Sequence, residues 1–189
     1  MRIVVLVSGT GSNLQAVIDA VADGSLPLEI AAVGADRPDT FGIERSEAAG
    51  LDTFVVNFKD FPTRTDWDAA LLEAVSAYKP DYVVSSGFMR IVAPSFINAF
   101  KGRYVNTHPA LLPAFPGAHG VRDAMAYGVK VTGCTVHFAD AGVDTGPIIA
   151  QAPIAILPED TEDSLHGRIK VAERELLIKV LGDLARASH

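Results

Sequence analysis

The fold of this chain is decided by residues 2–21, which read RIVVLVSGTGSNLQAVIDAV. Residues 2–7 form a continuous apolar, β-branched run, which is typical of a strand covered on both faces. A polar segment with two glycines follows at 8–13, and an apolar helical pattern then begins at Leu14 and ends near Gly24. The stretch therefore predicts a central strand, a glycine loop and a helix, which is the first unit of an α/β fold.

The glycine loop, residues 8–13, is suited to hold an anion. Glycines let the backbone approach a ligand, and the free N–H groups and positive dipole end of a helix favour negative charge. Gly11, Ser12 and Asn13 are therefore candidate phosphate-binding residues. The loop is not the dinucleotide fingerprint, because Leu14 stands where the third glycine of G-x-G-x-x-G is required. A plain tight turn, with Ser12 or Asn13 capping the helix, is the alternative.

Beyond the first helix, strands and helices alternate along the chain. The predicted strands cover 28–33, 53–56, 81–86, 104–108, 132–138 and 147–156, and the predicted helices cover 41–49, 64–78, a short segment from 93, 121–127 and 161–187. This alternation predicts an α/β fold with an open, mostly parallel sheet and helices on both faces, in one domain over residues 1–189. Because ligands bind such sheets at the carboxyl ends of the strands, the loops there are expected to converge.

Composition limits the classes of function. The chain has 189 residues, is 49% hydrophobic and has a formal net charge of −7, as expected for a globular domain of ordinary size. The negative charge argues against a nucleic-acid partner, and no apolar run reaches the roughly 20 residues that span a bilayer. With no export signal and the single Cys134, the sequence predicts a cytoplasmic protein with small-molecule substrates. The oligomeric state stays open, and a homodimer is one expectation.

The segment 104–120, YVNTHPALLPAFPGAHG, carries the candidate catalytic groups. Asn106 and His108 end a strand two residues apart, so both side chains point to the same face. An amide donor and a titratable base then share one space, as proton transfer beside a developing oxyanion requires. Asp144, in a later loop rich in acid and glycine, is the carboxylate that we expect to orient the imidazole. Satisfied turn residues are the alternative for this pair.

Other chemistries have less support in the sequence. A hydrolase triad is not expected, because there is no G-x-S-x-G elbow and Cys134 lies in an apolar strand pattern. No metal site is expected, because the histidines and Cys134 do not fall at a recognised ligand spacing. His137 lies in mid-strand, where a core or wall residue is expected. Asp36 lies roughly where a dinucleotide domain places its ribose-binding acid, which is a further alternative.

Four segments together resemble one family: GTGSNLQA at 9–16, SGFMRI at 86–91, NTHPALLPAFPGAHG at 106–120 and DTGPI from 144. They are similar to the phosphoribosylglycinamide formyltransferases, folate-dependent enzymes of purine biosynthesis with a Rossmann-like formyltransferase fold. The likeness covers nearly the whole chain. The N-x-H-P-x-L-L-P core is shared by the wider formyltransferase superfamily. The glycine loop, and FPG at 115–117 where the methionyl-tRNA branch has YRG, favour glycinamide ribonucleotide as the substrate.

The resemblance implies that the formyl group of 10-formyltetrahydrofolate, a co-substrate, is transferred to the amine of N1-(5-phospho-D-ribosyl)glycinamide. It implies that Asn106 holds the oxyanion, that His108 is the general acid and that Asp144 keeps His108 oriented and cationic. The implied ribonucleotide contacts are Gly11, Ser12, Asn13, Lys170 and Glu173. The implied folate contacts are Arg64, Met89, Arg90, Ile91, Val92, Asn106, Asp140, Ala141, Gly142 and Val143.

Rival functions stay open beside this one. A formyltetrahydrofolate hydrolase would use the same Asn, His and Asp to activate water, although that family carries an additional N-terminal domain. A methionyl-tRNA formyltransferase would need a C-terminal RNA-binding domain and a basic face. A non-catalytic nucleotide-binding module would hold a dinucleotide at Asp36. The resembled family commonly continues into a short strand after its last helix, whereas this sequence ends in Ala187-Ser188-His189, which leaves the C-terminal edge open.

Overall fold

The computed structural model describes residues 1–188, within which seven strands form one sheet in the order β3-β2-β1-β4-β5-β6-β7. The strands are β1 (Arg2–Val7), β2 (Glu29–Ala35), β3 (Thr53–Val55), β4 (Tyr82–Ser85), β5 (Tyr104–His108), β6 (Val131–Phe138) and β7 (Ile148–Ala155). The helices are α1 (Ser12–Ala22), α2 (Phe41–Ala48), α3 (Arg64–Ala77), α4 (Pro94–Ala99), α5 (Gly120–Tyr127) and α6 (Glu162–Ala187). The expectation for the end of the chain falls on His189, which lies outside the described residues.

The sheet is mostly parallel, as predicted. β3, β2, β1, β4 and β5 run in one direction, whereas β6 is antiparallel to β5 and β7 is antiparallel to β6. From β1 the chain builds β2 and β3 on one side and then returns to place β4 on the other. Between β1 and β4 the strand order therefore reverses, and such a switch point opens a crevice for ligands at the carboxyl edge of the sheet.

Helices cover both faces of β1, as the continuous apolar run predicted. Ile3, Val5 and Val7 share a core with residues of α1 and α6, whereas Val4 and Leu6 share a second core with residues of α3 and α4. All five side chains are fully buried. Because the side chains of a strand alternate between faces, an apolar residue is needed at every position. Among the described helices, none combines the length and the apolar character needed to cross a bilayer.

The predicted ends of the elements differ from the observed ends by at most two residues, and capping explains several of these differences. Thr161, predicted as the start of α6, is its N-cap, and its hydroxyl accepts a hydrogen bond from the Ser164 N–H at 3.2 Å. Tyr78, predicted as the end of α3, is the C-cap of that helix. Cap residues belong half to the helix, so the apolar pattern cannot separate them from it.

The loop between β6 and β7, which carries Asp144, reaches the carboxyl edge by a route other than the predicted one. We expected it there because it follows a strand, but β6 is antiparallel, so its last residue, Phe138, lies opposite Val105 near the start of β5. Val105 in turn pairs with Val84 near the end of β4. β5 and β6 therefore extend past β4, and the end of β6 is level with the carboxyl end of β4.

We expect Leu177→Ala to lower the free energy of unfolding by about 3 kcal/mol, because it leaves a cavity in the α6 side of the core. Leu177 is fully buried in that core. Urea unfolding followed by fluorescence of the buried Trp67 would measure the loss. Leu157→Ala is the matched control, because Leu157 is 42% exposed and should cost less than about 1 kcal/mol. Equal losses in the two variants would contradict this assignment of the core.

Candidate active site

A cleft of about 680 Å³ opens at the carboxyl edge of the sheet. The parts of the chain that line it include the glycine loop, the segment 85–92, the end of β5, the loop after β6 and the face of α6 that carries His166, Lys170 and Glu173. Its volume lies within the range of small-molecule sites. Segments that are far apart in sequence therefore meet at one site, where substrates could bind together.

Asp144 connects the polar side chains at the centre of the cleft. Its Oδ2 lies 3.3 Å from Nδ1 of His108 and accepts a 2.8 Å hydrogen bond from the N–H of Gly117. Its Oδ1 lies 3.6 Å from Nε2 of His137. The amide nitrogen of Asn106 lies 3.4 Å from the same Nε2. The structure thus brings together Asn106, His108 and Asp144, which the sequence analysis grouped, while their chemical roles remain predictions.

The environment of Asp144 favours its ionised form. The hydrogen bond with His137 holds the pKa of the Asp144 carboxyl below its ordinary value, and the Gly117 N–H and the charges of the two histidines act in the same direction. Burial acts against them but does not prevail. Ion pairing and hydrogen bonding to the charged form outweigh desolvation here. A carboxylate is therefore available to both imidazoles near neutral pH.

The imidazole of His108 is buried and held on both sides. Its Nε2 lies 2.7 Å from the carbonyl oxygen of Phe115, and its Nδ1 faces Asp144. A carbonyl and a carboxylate can only accept hydrogen bonds, so a ring with a proton on each nitrogen satisfies both contacts. Gly120 packs so close to the ring that a Cβ added at this glycine would lie 3.0 Å from Nε2 of His108. This geometry suits a proton donor with a fixed orientation.

His137 is a site residue that the sequence analysis did not select. It is 1% exposed and pairs with Asn106 across the β5–β6 ladder, which places it beside Asn106 and Asp144. Its Nδ1 lies 3.0 Å from the carbonyl oxygen of Phe138, which leaves Nε2 facing the cleft. His137 was expected to be a core or wall residue, and its burial agrees with that expectation. The contact with Asp144 depends on the antiparallel register, and no local pattern in the sequence indicates that register.

The N-terminus of α1 forms one end of the cleft. Gly11 is the N-cap in the left-handed region, with φ 65°, and no side chain caps the helix. The first N–H groups of α1 are therefore available to a ligand. The Asn13 amide donates a 2.6 Å hydrogen bond to Oε1 of Glu173, whereas its own Oδ1 is buried and has no partner among the described residues. Ser12 lines the cleft beside them.

On the α6 side of the cleft, His166 is a residue that the sequence analysis missed. Lys170 and Glu173, which the resemblance selected, line the cleft together with His166. The hydroxyl of Thr107 donates a 2.8 Å hydrogen bond to Glu173, so β5 also contacts α6. The signal in the sequence was the spacing of 166, 170 and 173, which puts the three residues on one stripe of a helix.

The segment 87–92 presents an apolar surface to the cleft. Met89 and Ile91 are 76% and 71% exposed, and both line the cleft with Val92. The backbone N–H of Met89 donates a 2.8 Å hydrogen bond to the Ser8 hydroxyl, which fixes this segment to the end of β1. Exposed apolar side chains next to a cleft are characteristic of a ligand-binding surface. The segment is thus suited to contact an apolar part of a ligand.

Arg90 lines the cleft, but its guanidinium is bound to the protein. It lies 2.7 Å from Oδ2 of Asp36 and 4.2 Å from the ring centre of Phe58. Asp36 is buried by this contact, with 2% exposure. The alternative in which Asp36 binds a ribose is therefore not supported, because its carboxylate faces Arg90.

Two predicted folate contacts are not among the residues that line the cleft. Arg64 is held by an ion pair with Asp68 at 3.1 Å and lies over the ring of Trp67 at 5.1 Å. It donates a hydrogen bond to the carbonyl of Ile91, so it supports the apolar segment from behind. Ala141 also does not line the cleft, although Asp140, Gly142 and Val143 do.

Cysteine chemistry and metal chemistry have little support among residues 1–188. Burial raises the pKa of the Cys134 thiol to about 11, with the charge of Glu173 adding to the shift, so this thiol is a poor nucleophile. Among residues 1–188, no group of three or more His, Cys, Asp or Glu side chains is placed to hold a metal ion.

Comparison with known proteins places the chain in a family. The formyl transferase family model matches residues 1–181, so the chain belongs to the formyl transferase family, as its motifs predicted. More particularly, it is similar to the phosphoribosylglycinamide formyltransferase of Mycobacterium tuberculosis, with 55% identity over 97% of this chain and 85% of that protein. The glycinamide ribonucleotide transformylase 1 structure from Symbiobacterium toebii has a TM-score of 0.95 and 45% identity over 99% of this chain and 88% of its own. The Bacillus halodurans phosphoribosylglycinamide formyltransferase has a TM-score of 0.94 and 36% identity over 100% and 97%.

We expect Gly11→Ala to destabilise the protein by about 1 kcal/mol or more beyond Gly24→Ala. Both glycines have a positive φ, but a Cβ at Gly11 would lie 2.8 Å from the Cα of Gly42, whereas one at Gly24 meets open space. The difference between the free energies of unfolding of the two variants in urea measures the cost of placing a side chain where the glycine loop approaches α2. Equal losses would show that the approach carries no cost.

We expect Asp144→Asn to lower the free energy of unfolding near neutral pH, by an amount that shrinks in acid. The folded protein holds the pKa of Asp144 below 3.8, so its stabilisation is complete above the unfolded-state pKa. It is lost as pH falls through the lower folded-state pKa. Urea unfolding from about pH 7 to about pH 3 would show that the difference in free energy of unfolding between the wild type and Asp144→Asn decreases below about pH 4. Asp123→Asn, at a partly exposed carboxylate of α5, is the control. If the difference between the wild type and Asp144→Asn did not change with pH, the assignment would be contradicted.

Proposed function

We propose that this chain is a phosphoribosylglycinamide formyltransferase. It transfers the formyl group of 10-formyltetrahydrofolate to the amine of N1-(5-phospho-D-ribosyl)glycinamide in de novo purine (IMP) biosynthesis. The observation that carries the proposal is one cleft that is lined by Asn106, His108 and Asp144, by a free helix N-terminus and by an exposed apolar segment. Membership of the formyl transferase family and 55% identity to a phosphoribosylglycinamide formyltransferase support it.

The ribonucleotide fits the end of the cleft formed by α1 and α6. Gly11, Ser12 and Asn13 offer backbone N–H groups and the positive dipole end of α1 to the 5-phosphate. Lys170 adds a cation at the same end of the cleft. The Glu173 carboxylate, already held by Asn13 and Thr107, can accept hydrogen bonds from the ribose hydroxyls.

The folate fits the part of the cleft that is lined by the segment 87–92. Met89, Ile91 and Val92 offer apolar contact to a flat pterin ring, and Asp140, Gly142 and Val143 line the facing loop. Arg90 and Arg64 act on this surface indirectly, since one pairs with Asp36 and the other holds the carbonyl of Ile91. The bound folate supplies a formyl group attached to a nitrogen that can leave as an amine.

The cluster at the centre of the cleft supplies what acyl transfer requires. The amine attacks the formyl carbon, the carbon–nitrogen bond to the folate breaks, and one proton moves from the attacking to the leaving nitrogen. Asn106 donates its amide N–H to the oxygen that becomes negative in the tetrahedral intermediate. His108 gives a proton to the leaving nitrogen, and Asp144 keeps the imidazole oriented and favours its protonated form. The transfer is direct, because the buried Cys134 does not serve as a nucleophile.

The proposal also concerns partners and location. The substrates are small molecules, with no nucleic-acid or membrane partner, and the reaction takes place in the cytoplasm. A homodimer stays a prediction.

A formyl-transfer assay with the purified protein tests the function. We expect loss of 10-formyltetrahydrofolate only when glycinamide ribonucleotide is present, with formation of the formylated ribonucleotide. Consumption at the same rate without the ribonucleotide would contradict the transferase and favour the hydrolase.

We expect Asn106→Ala, His108→Ala and Asp144→Ala each to lower kcat by about 100-fold or more while the fold persists, because each loses a group that acts in the transition state. Steady-state rates would measure the loss, and circular dichroism would check folding. Arg122→Gln, on the exposed side of α5, is the control with a normal rate. A near-normal rate in any of the three alanine variants would remove that residue from the mechanism.

A further inference from the structure

His166 is a titratable side chain of the cleft that the mechanism above does not use. It lies in the first half of α6 and is half-buried, and it lines the cleft together with Lys170 and Glu173. The spacing i, i+4 and i+7 puts these three residues on one stripe of α6. Along the helix axis, Lys170 lies about 6 Å and Glu173 about 10 Å from the level of His166.

The stripe is positioned against the N-terminus of α1. The 2.6 Å hydrogen bond from Asn13 to Glu173 joins the two helices, and Thr107, next to the catalytic Asn106 and His108, holds Glu173 from the other side. Glu173 is therefore the end of the stripe nearest the catalytic cluster. Lys170 and His166 lie farther along α6 from this cluster, and we expect the phosphate on their side when the amine of the ribonucleotide faces His108.

A second observation also indicates a ligand at this end of the cleft. Asn13 is 8% exposed, and its Oδ1 has no hydrogen-bond partner among the described residues. The first N–H groups of α1 lack a side-chain cap. None of the ion pairs among residues 1–188 includes Lys170. This part of the cleft therefore offers N–H donors, an amide acceptor and a cation, and the described residues supply no partner for them.

We propose that His166 is a further phosphate ligand of the ribonucleotide site and that it takes up a proton when the phosphate dianion binds. This inference rests on the proposed function, because it states how the 5-phosphate of that substrate is held. The imidazolium would then donate a charge-assisted hydrogen bond to a phosphate oxygen beside Lys170.

The charges around His166 explain why the proton arrives with the ligand. Burial and the charge of Lys170 lower the pKa of His166, while Glu173, Glu162 and Asp163 oppose the shift. The elements packed against α6 add few titratable groups: Asp19 on α1, Arg122, Asp123 and Tyr127 on α5, Cys134 and His137 on β6, and none on β7. The imidazole is thus mostly neutral near pH 7 in the free protein. A phosphate dianion reverses this balance, because an opposite charge favours the protonated form.

The sign of the pH dependence follows from this linkage. Binding raises the pKa of His166 above its value in the free protein. Its contribution to affinity is therefore complete below the free-protein pKa and is lost as pH rises through the higher pKa of the complex. The ribonucleotide should bind more weakly as pH rises above neutral.

Calorimetric titration of the intact chain with glycinamide ribonucleotide tests the proposal. At about pH 7.5 the phosphate is already a dianion, because its second pKa is about 6, so proton uptake by the protein can be read from buffers of different ionisation enthalpy. We expect less proton uptake by His166→Gln than by the wild type, and an affinity about tenfold lower at about pH 6.5. His166→Lys should keep tight binding without the extra uptake, because its charge is permanent. Lys179→Gln, which removes a cation paired with Asp183 farther along α6, is the control that should behave as the wild type.

The same substrate without its 5-phosphate separates a phosphate contact from a general effect. Wild type and His166→Gln should bind the dephosphorylated nucleoside equally. Equal proton uptake by the wild type and His166→Gln would overturn the inference. An equal loss of affinity in His166→Gln for the phosphorylated and the dephosphorylated ligand would also overturn it. Neither result would contradict the proposed function, because the enzyme could still be active. Absence of ribonucleotide binding and turnover in the wild type would instead overturn the proposed function.

Discussion

The carboxylate of Asp144 contacts three parts of the chain that are separate in sequence. One oxygen faces His108 at the end of β5 and accepts the N–H of Gly117 before α5, and the other faces His137 on β6. A largely buried carboxylate keeps its charge only when donors surround it, so these contacts and the ionised state depend on one another. The orientation of the imidazole and the path of the loop after β6 therefore have a common origin.

The strands convert this local arrangement into a site with two ends. Alternation along β5 points Asn106 and His108 into the catalytic cluster and Thr107 toward Glu173 on α6. One strand therefore connects the groups that would act on the formyl carbon with those that would hold the ribonucleotide. The antiparallel register of β6 adds His137 opposite Asn106. Side chains on paired strands are fixed more firmly than loop residues, which suits a site that needs preorganised donors.

The apolar end of the cleft is maintained by contacts behind it. Arg90 is bound to the buried Asp36, and Arg64 holds the carbonyl of Ile91, so two cations near this end are used to fix the backbone of the segment 87–92. Met89 and Ile91 can then stay exposed without collapsing onto the core. Such exposure has a cost in water, and a ligand that covers the two side chains would recover it.

The sequence by itself determined the central strand, the glycine loop before α1, the α/β class and the pairing of Asn106 with His108, because each depends on a local period or on neighbouring residues. The motifs together also identified the family. Tertiary structure alone decided that His137 contacts Asp144, that Arg64 turns away from the cleft toward Asp68 and Ile91, and that His166 reaches the cleft beside Lys170. These outcomes depend on strand register, on competition between ion-pair partners and on the packing of α6 against α1. Such contacts join residues far apart in the chain, so the alternation of apolar and polar residues does not specify them.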